Sequence, residues 1–115
     1  MPNPVTHFEI IGKDAKKSHE YYRNLFGWTV DASNPMDYGM VQPQDGKGTG
    51  GGIGAEPGGQ ARVTFYVEVD NPQVYLDKAV SMGGKVVVPV TAMEDVTFAL
   101  FADPDGNVIG LAKAG

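Results

Sequence analysis

Alternating apolar and polar residues predict that the chain begins with a strand over residues 5–11, because side chains along a strand point to opposite faces in turn. One face carries Phe8 and Ile10, and the other carries His7, Glu9 and Ile11. The first set is typical of a sheet face that packs on a core. The second set carries the ionisable groups, so it is the face on which a functional site is expected.

Residues 15–26 follow with apolar positions at helical spacing. Asp14 precedes them as a candidate N-cap, and Gly27 follows as a residue able to end the helix in a left-handed conformation. The apolar side of this helix is predicted to carry Ala15, Ser18, Tyr22, Leu25 and Phe26. His19 is expected to be partly exposed and to pack beside the aromatic residues of the helix. Short strands are predicted at 28–30 and 38–42, separated by a turn.

The glycine-rich segment 45–54 does not read as a phosphate-binding loop. Gly46-Lys47 is followed by Gly48 rather than by a hydroxyl residue, and further glycines follow where a helix would have to begin. Two alternatives stay open, a flexible loop or a glycine-bearing strand that lets another group approach the backbone closely. Residues 56–60 are predicted to be a linker.

The second half repeats this order of elements. Asn71 is a candidate N-cap with Pro72 in the first helical position, and Gly83-Gly84 ends the helix. Strands are predicted at 62–69, 85–88, 98–102 and 108–111, with a turn over 91–95. The last two strands are joined by the turn Asp103-Pro-Asp-Gly-Asn107.

A shift of 57 positions aligns the two halves: Phe8 with Phe65, Asp14 with Asn71, Gly27 with Gly84 and Val30 with Val87. The sequence therefore predicts an α+β fold of two βαβββ modules in a single domain, residues 1–115. Module one covers about 1–55, a linker about 56–61, and module two about 62–115. The modules are expected to form a curved, cup-like mixed sheet with the helices on its outer face.

Composition narrows the function classes. The 115 residues carry a net charge of −5 without a basic cluster, which argues against nucleic acid and anionic membranes as partners. No apolar run is long enough to span a membrane, and the first residues lack the pattern of a signal peptide. There is no cysteine, which is compatible with the cytoplasm. A small molecule or another protein remains as the partner.

Three segments, together with the repeat, resemble the vicinal oxygen chelate superfamily. They are Val5-Thr-His-Phe-Glu-Ile10, His19-Glu-Tyr-Tyr-Arg-Asn-Leu-Phe-Gly-Trp28 and Asp103-Pro-Asp-Gly-Asn-Val-Ile109. The superfamily includes glyoxalase I, extradiol dioxygenases, fosfomycin-resistance enzymes and bleomycin-resistance proteins. The resemblance covers essentially the whole chain and implies the cup-shaped fold. It implies the chemistry less directly, because a fold does not determine a function.

The resemblance also implies where a divalent metal would be bound, on the first strand of each module and on a carboxylate of the last strand. His7 matches the first position, but its repeat equivalent is Thr64. Gly110 stands where the carboxylate is expected, and Gly50-Gly51-Gly52 occupy the corresponding region of module one. One imidazole cannot hold a catalytic metal, which typically has about three protein ligands. We therefore expect no metal and no other cofactor.

His7 and Glu9 are the candidate acid–base pair, because imidazole titrates near neutral pH and both side chains share one strand face. A structural histidine bonded to a neighbouring strand or to Glu9 is the alternative. Glu68 shares its strand face with Thr64 and Tyr66. The two glutamates either point into the cup or are solvated, or they pair with Arg62 or a lysine. A metal site built from His7, Glu9 and Glu68 is a minor alternative.

Aromatic side chains could form the walls of a ligand site, and each has a place in the core as its alternative. The candidate ligand-binding residues are Trp28, Tyr38, Thr64, Tyr66, Glu68, Phe98 and Phe101. Strand parity favours Tyr66 in particular, because it shares the cup face with Glu68.

The sequence thus predicts a glyoxalase- or bleomycin-resistance-like protein that binds a small organic molecule in its cup without the metal of the family. An activity, if there is one, would be of the lyase or isomerase kind. Two alternatives remain: a metal-dependent lyase or dioxygenase with an atypical ligand set, and a sequestration or interaction module without turnover. A homodimer is expected.

Overall fold

A computed structural model describes the chain over residues 3–43, 46–56, 58–93 and 95–114. The predictions that concern residues 45, 57 and 94, in the glycine-rich segment, the linker and the turn before the last hairpin, lie partly outside these ranges. The chain divides into two compact units. We call His7–Val63 the N-terminal unit, and residue 64 onwards together with residues 3–6 the C-terminal unit.

The N-terminal unit has the predicted order of one strand, one helix and three strands. Its elements are β1 (Val5–Gly12, of which the first two residues belong to the other unit), α1 (Ala15–Phe26), β2 (Val30–Asp31), β3 (Gly39–Val41) and β4 (Gly51–Ala55). The strands lie in the order β2-β3-β4-β1. The β1–β4 pair is parallel, and the other two pairs are antiparallel.

The C-terminal unit repeats this arrangement. Its elements are β5 (Arg62–Val69, of which the first two residues belong to the other unit), α2 (Pro72–Ser81), β6 (Lys85–Ala92), β7 (Thr97–Ala102) and β8 (Val108–Lys113). The strands lie in the order β5-β8-β7-β6, with β5–β8 parallel and the other pairs antiparallel. Two βαβββ modules in an α+β fold are thereby confirmed.

Several strand boundaries differ from the predicted ones. β2 begins at Val30 rather than Trp28, and the glycine-rich segment contributes a real strand, β4. β6 continues to Ala92 instead of ending at Val88, so the predicted turn over 91–95 begins later. β6 can contain Pro89 because it is an edge strand, paired on one side only with β7, so the missing N–H of proline need not interrupt a hydrogen-bond ladder.

The starts of both helices and the end of α1 follow the predicted capping residues, whereas α2 ends at Ser81 with Met82 as its C-cap, just before the predicted Gly83-Gly84. The Asp14 carboxylate accepts a hydrogen bond from the Lys17 N–H at 3.2 Å, and Gly27 has a φ of 73° at the end of α1. At α2, the Asn71 side chain accepts from the N–H groups of Gln73 and Val74. Capping of this kind satisfies backbone donors that have no partner within the helix.

Each unit has its own core. In the N-terminal unit Val30, Val41 and Ile53 are buried, with Phe8, Ile10, Tyr22 and Trp28 packed against them. In the C-terminal unit Val69, Leu76, Ala99 and Leu111 are buried, with Val67, Tyr75, Val90 and Phe101 against them. Phe8 and Ile10 thus lie on the core side of β1, as predicted.

The predicted apolar side of α1 is partly wrong. Leu25 and Phe26 are 56% and 57% exposed, whereas the fully buried residue of the helix is His19, at 3%. The expectation of a partly exposed His19 is therefore wrong as well. Its Nε2 lies 2.8 Å from the carbonyl oxygen of Ile53, and this hydrogen bond offsets the cost of burying a polar ring. Within the described residues, no helix is long and apolar enough to cross a membrane.

Candidate functional site

A chain of polar contacts lies on the β1 face opposite the core. His7 and Glu9 are two residues apart on β1, so their side chains share a face. The Tyr38 hydroxyl lies between them, 2.8 Å from His7 Nε2 and 2.9 Å from Glu9 Oε2, to which it donates a hydrogen bond. The Tyr38 and His7 rings are nearly parallel, with centroids 6.2 Å apart. We call His7, Tyr38 and Glu9 the polar cluster.

Arg62 extends the polar cluster on its carboxylate side. Its Nη2 lies 3.5 Å from Glu9 Oε1, and its Nη1 donates to Glu56 Oε2 at 2.8 Å. Glu9 is only 8% exposed, and a buried carboxylate is tolerated when it is paired and hydrogen-bonded. Of the alternatives left open for the two glutamates, pairing with Arg62 is the one that the structure shows for Glu9.

Tyr38 reaches this position because its ring lies on β4, where glycines leave the backbone without side chains. A Cβ on Gly52 would overlap the Tyr38 ring, and one on Gly54 would lie 3.0 Å from it. The backbone of Tyr38 is held by Asn34, which accepts from its N–H at 3.0 Å and donates to its carbonyl oxygen at 2.7 Å. The glycine-rich segment therefore serves as a surface on which a tyrosine ring lies against the backbone.

Burial sets the protonation behaviour of His7. The half-buried ring loses hydration, and this loss lowers the pKa of His7, while the negative charge of Glu9 opposes the effect by raising it. Because the first cause is the larger, the neutral imidazole is favoured. A neutral imidazole donates a hydrogen bond through one ring nitrogen and accepts one through the other, so it can take up a proton at the accepting nitrogen.

The predicted residues of the C-terminal unit form a different surface. Thr64 is 3% exposed, and its hydroxyl donates to the Val108 carbonyl oxygen at 3.3 Å. The buried Tyr66 ring covers Gly110, where a Cβ would overlap it, and it meets Phe98 edge-on at 6.5 Å. Glu68 is half-buried on the same strand.

Two of the predicted aromatic residues pack with their unit's core. Trp28 contacts Phe8, Tyr22 and Phe26, with ring centroids 5.0 to 5.8 Å apart. Phe101 packs against the core of the C-terminal unit. The structure thus does not bring Trp28 to the polar cluster, and it separates Phe101 from the Tyr66–Phe98 pair.

The donor set does not fit the metal that the resemblance implies. Within the described ranges, no three or more His, Cys, Asp or Glu side chains are grouped so that they could hold a metal ion. Gly52 and Gly110 offer no side chain, and a tyrosine ring covers each. The Glu9 carboxylate already accepts from Tyr38 and pairs with Arg62.

Sequence reasoning placed His7 and Glu9 on one face of β1 but did not identify the residue that joins them. Tyr38 was expected only as an aromatic wall, whereas its hydroxyl is the contact between the two β1 side chains. The glycines of β4 carried a usable signal, because consecutive glycines in a strand indicate the close approach of another group. Nothing in the sequence identified Tyr38 as that group.

A family model described as Glyoxalase/Bleomycin resistance protein/Dioxygenase superfamily matches residues 5–111. Two curated proteins, from Mycobacterium bovis and Mycobacterium tuberculosis, are both named "Putative glyoxylase CFP32" and are 27% identical to this chain over 110 residues. The match covers 88% of this chain and 42% of each relative, so the chain spans about two fifths of their length.

Solved structures with the same fold are more distant in sequence. Methylmalonyl-CoA epimerase from Mycobacterium tuberculosis is 13% identical with a TM-score of 0.68, over 96% of this chain and 87% of that one. A glyoxalase/bleomycin resistance protein/dioxygenase superfamily member from Vibrio splendidus is 16% identical with a TM-score of 0.65, over 97% and 99%. At such identities the likeness shows the fold alone.

Proposed function

Because the chain belongs to the glyoxalase/bleomycin resistance protein/dioxygenase superfamily, we propose that it binds a small organic molecule with a carbonyl group at the polar cluster, without a divalent metal. His7 and Glu9 act there as the acid–base pair that moves a proton on the carbon beside the carbonyl. The observation that carries this proposal is the contact of the Tyr38 hydroxyl with both His7 Nε2 and Glu9 Oε2.

The chemistry of the three groups supports this assignment. A neutral imidazole can exchange a proton near neutral pH, and the lowered pKa of His7 favours that form. A carbonyl makes the neighbouring C–H bond acidic, and hydrogen-bond donors stabilise the charge that develops on its oxygen. The names of the curated relatives point to the same carbonyl class of small molecules.

Metal content is the first test. The protein, purified without a chelating tag, is loaded with zinc, nickel, manganese or iron(II), desalted and measured by inductively coupled plasma mass spectrometry. We expect far less than one metal per chain. About one tightly bound metal per chain would overturn the metal-free site and favour a lyase or dioxygenase with an atypical ligand set.

Binding and proton transfer are tested with a panel of 2-oxo acids, 2-oxo aldehydes and the corresponding hydroxy compounds. Binding is followed by shifts in ¹H–¹⁵N spectra, and proton transfer by deuterium uptake from D₂O at the carbon beside the carbonyl. His7→Ala should abolish both while the protein stays folded. Thr6→Ala, an exposed neighbour on β1, is the matched control. Unchanged affinity in His7→Ala would remove His7 from the site, and tight binding without deuterium uptake would favour sequestration.

A further inference from the structure

The Tyr38 hydroxyl contacts both His7 and Glu9 but has only one proton. It donates to Glu9 Oε2 at 2.9 Å, and a carboxylate can only accept. The second contact, at 2.8 Å to His7 Nε2, must then use a lone pair of the hydroxyl oxygen. A neutral His7 in this geometry carries its proton on Nε2, and its ring lone pair lies on Nδ1.

We propose that Tyr38 is a positioning residue that holds the neutral imidazole of His7 in the Nε2–H tautomer. Arg62 and Glu9 set the direction of this arrangement, because the carboxylate paired with Arg62 accepts the hydroxyl proton and thereby turns the oxygen lone pair towards His7. Because Nε2 then carries the proton, Nδ1 is the ring nitrogen that can accept one. The chemical consequence rests on the proposed function, whereas the tautomer itself requires no ligand.

The backbone and the ring of Tyr38 are both held in place by their surroundings. Its backbone is fixed on both polar atoms by Asn34, and Asp37, just before it, has a φ of 53°, which few non-glycine residues adopt. Its ring lies against the bare backbone at Gly52. A side chain anchored at its backbone and along its ring holds its hydroxyl in one place, which is what orienting a catalytic imidazole requires.

The test reads the tautomer directly. In protein labelled with ¹⁵N-histidine, long-range ¹H–¹⁵N correlations at pH 8 distinguish a protonated ring nitrogen from an unprotonated one. For His7 we expect a protonated Nε2, an unprotonated Nδ1 and a slowly exchanging Nε2 proton. A protonated Nδ1 in the unliganded wild type would overturn the proposal.

Tyr38→Phe keeps the ring but removes the acceptor. We expect averaged ¹⁵N shifts that indicate mixed tautomers, and faster exchange of the Nε2 proton with solvent. His19 is an internal reference, because its Nε2 is bonded to a carbonyl and its signals should stay unchanged. Tyr21→Phe, at a 62% exposed position on α1, is the matched control. Wild-type shifts and exchange for His7 in a folded Tyr38→Phe protein would also overturn the proposal.

A second variant tests the direction of the hydrogen bonds. Glu9→Ala removes the acceptor of the Tyr38 proton, so the hydroxyl can donate to His7 Nε2 and the Nδ1–H tautomer should increase. An unchanged tautomer ratio would contradict the role of Glu9. If Tyr38→Phe fails to fold, this variant still decides the matter.

Once a molecule from the panel shows deuterium uptake, Tyr38→Phe should slow the uptake on the order of ten- to a hundredfold, with a smaller effect on binding. Equal losses in rate and binding would indicate a structural role only. If the tautomer is fixed but no molecule of the panel binds, the proposed function fails and this inference stands. If His7→Ala abolishes the deuterium uptake but Tyr38→Phe leaves the tautomer of His7 unchanged, the proposed function stands and this inference fails.

Discussion

The first strands of the two units have the same backbone pairing but different side chains. Glu9 pairs with Gly52 across the parallel β1–β4 ladder, and Tyr66 pairs with Gly110 across the parallel β5–β8 ladder. In both units a tyrosine ring covers the glycine. In the C-terminal unit the ring belongs to the strand itself, whereas in the N-terminal unit it comes from Tyr38, which leaves the strand position to a carboxylate.

The residue at this strand position determines which side chains gather around it in each unit. Where Tyr66 fills its own position, the hydroxyl of neighbouring Thr64 donates to a backbone carbonyl and Phe98 covers the ring edge. Where Glu9 stands instead, a hydroxyl, an imidazole and a guanidinium gather around the carboxylate. A single buried carboxylate requires such partners, because an unpaired charge in a low-dielectric site is costly.

The largest expected effect comes from filling the bare backbone positions. Gly52→Ala and Gly110→Ala should each lower the free energy of unfolding by about 3 kcal/mol, because the new Cβ overlaps a tyrosine ring in both units. Urea titrations followed by circular dichroism measure this. Only Gly52→Ala should also disturb the His7 tautomer. In a Tyr38→Ala background the cost of Gly52→Ala should vanish, and an additive cost would contradict the assigned contact.

Removing the two strand glutamates should have unequal effects. Glu9→Ala removes the acceptor of the half-buried Tyr38 hydroxyl and one of the two carboxylates that pair with Arg62, so we expect a loss of about 2 kcal/mol. Glu68→Ala, at a half-buried position in the C-terminal unit, should cost about 0.5 kcal/mol or less. Chemical denaturation of both variants under one buffer condition checks the comparison. Equal losses of unfolding free energy in the two variants would mean that the contacts of Glu9 with Tyr38 and Arg62 add no stability.

The helix caps offer a smaller contrast between the units. The Asn71 side chain accepts from two backbone N–H groups, and the Asp14 side chain accepts from one, that of Lys17. Asn71→Ala should therefore cost about 1 kcal/mol or slightly more, and Asp14→Ala somewhat less. Thermal unfolding of the two variants measures the order. A reversed order would show that the number of capped donors does not set the cost.

The smallest expected effect is a pH dependence. Burial lowers the pKa of His7 in the folded state, so protonation favours the unfolded chain. Stability should be full above the ordinary histidine pKa of about 6.5 and should fall as the pH decreases towards the folded-state value. Hydrogen bonds from Ser33 and Asn107 lower the pKa values of Asp31 and Asp103, so these exposed groups act only in more acid solution.

His7→Gln should flatten this pH dependence between about pH 6.5 and the lower pKa of the folded protein. Denaturant midpoints at a series of pH values compare the variant with wild type. If the two curves run parallel across that window, the lowered pKa of His7 is not the cause.

Local sequence determined much of each unit. Asp14, Gly27, Asn71 and Pro72 act at the helix ends where they were predicted, because capping depends on residues within one turn. The alternation of β1 correctly separated Phe8 and Ile10 from His7 and Glu9. The exposure of Leu25 and Phe26 and the burial of His19 were missed, since helical periodicity ranks faces by hydrophobicity and does not see the Ile53 carbonyl.

The sequence by itself determined the order of elements, the repeat, the family resemblance and the strand face that His7 and Glu9 share. Only the tertiary structure decided that Tyr38 joins His7 to Glu9 and that Arg62 pairs with Glu9. The reason is physical. Periodicity and capping are local properties of a few residues, whereas a hydrogen bond between residues some thirty positions apart exists only once sheet register and bare glycine backbone bring the groups together.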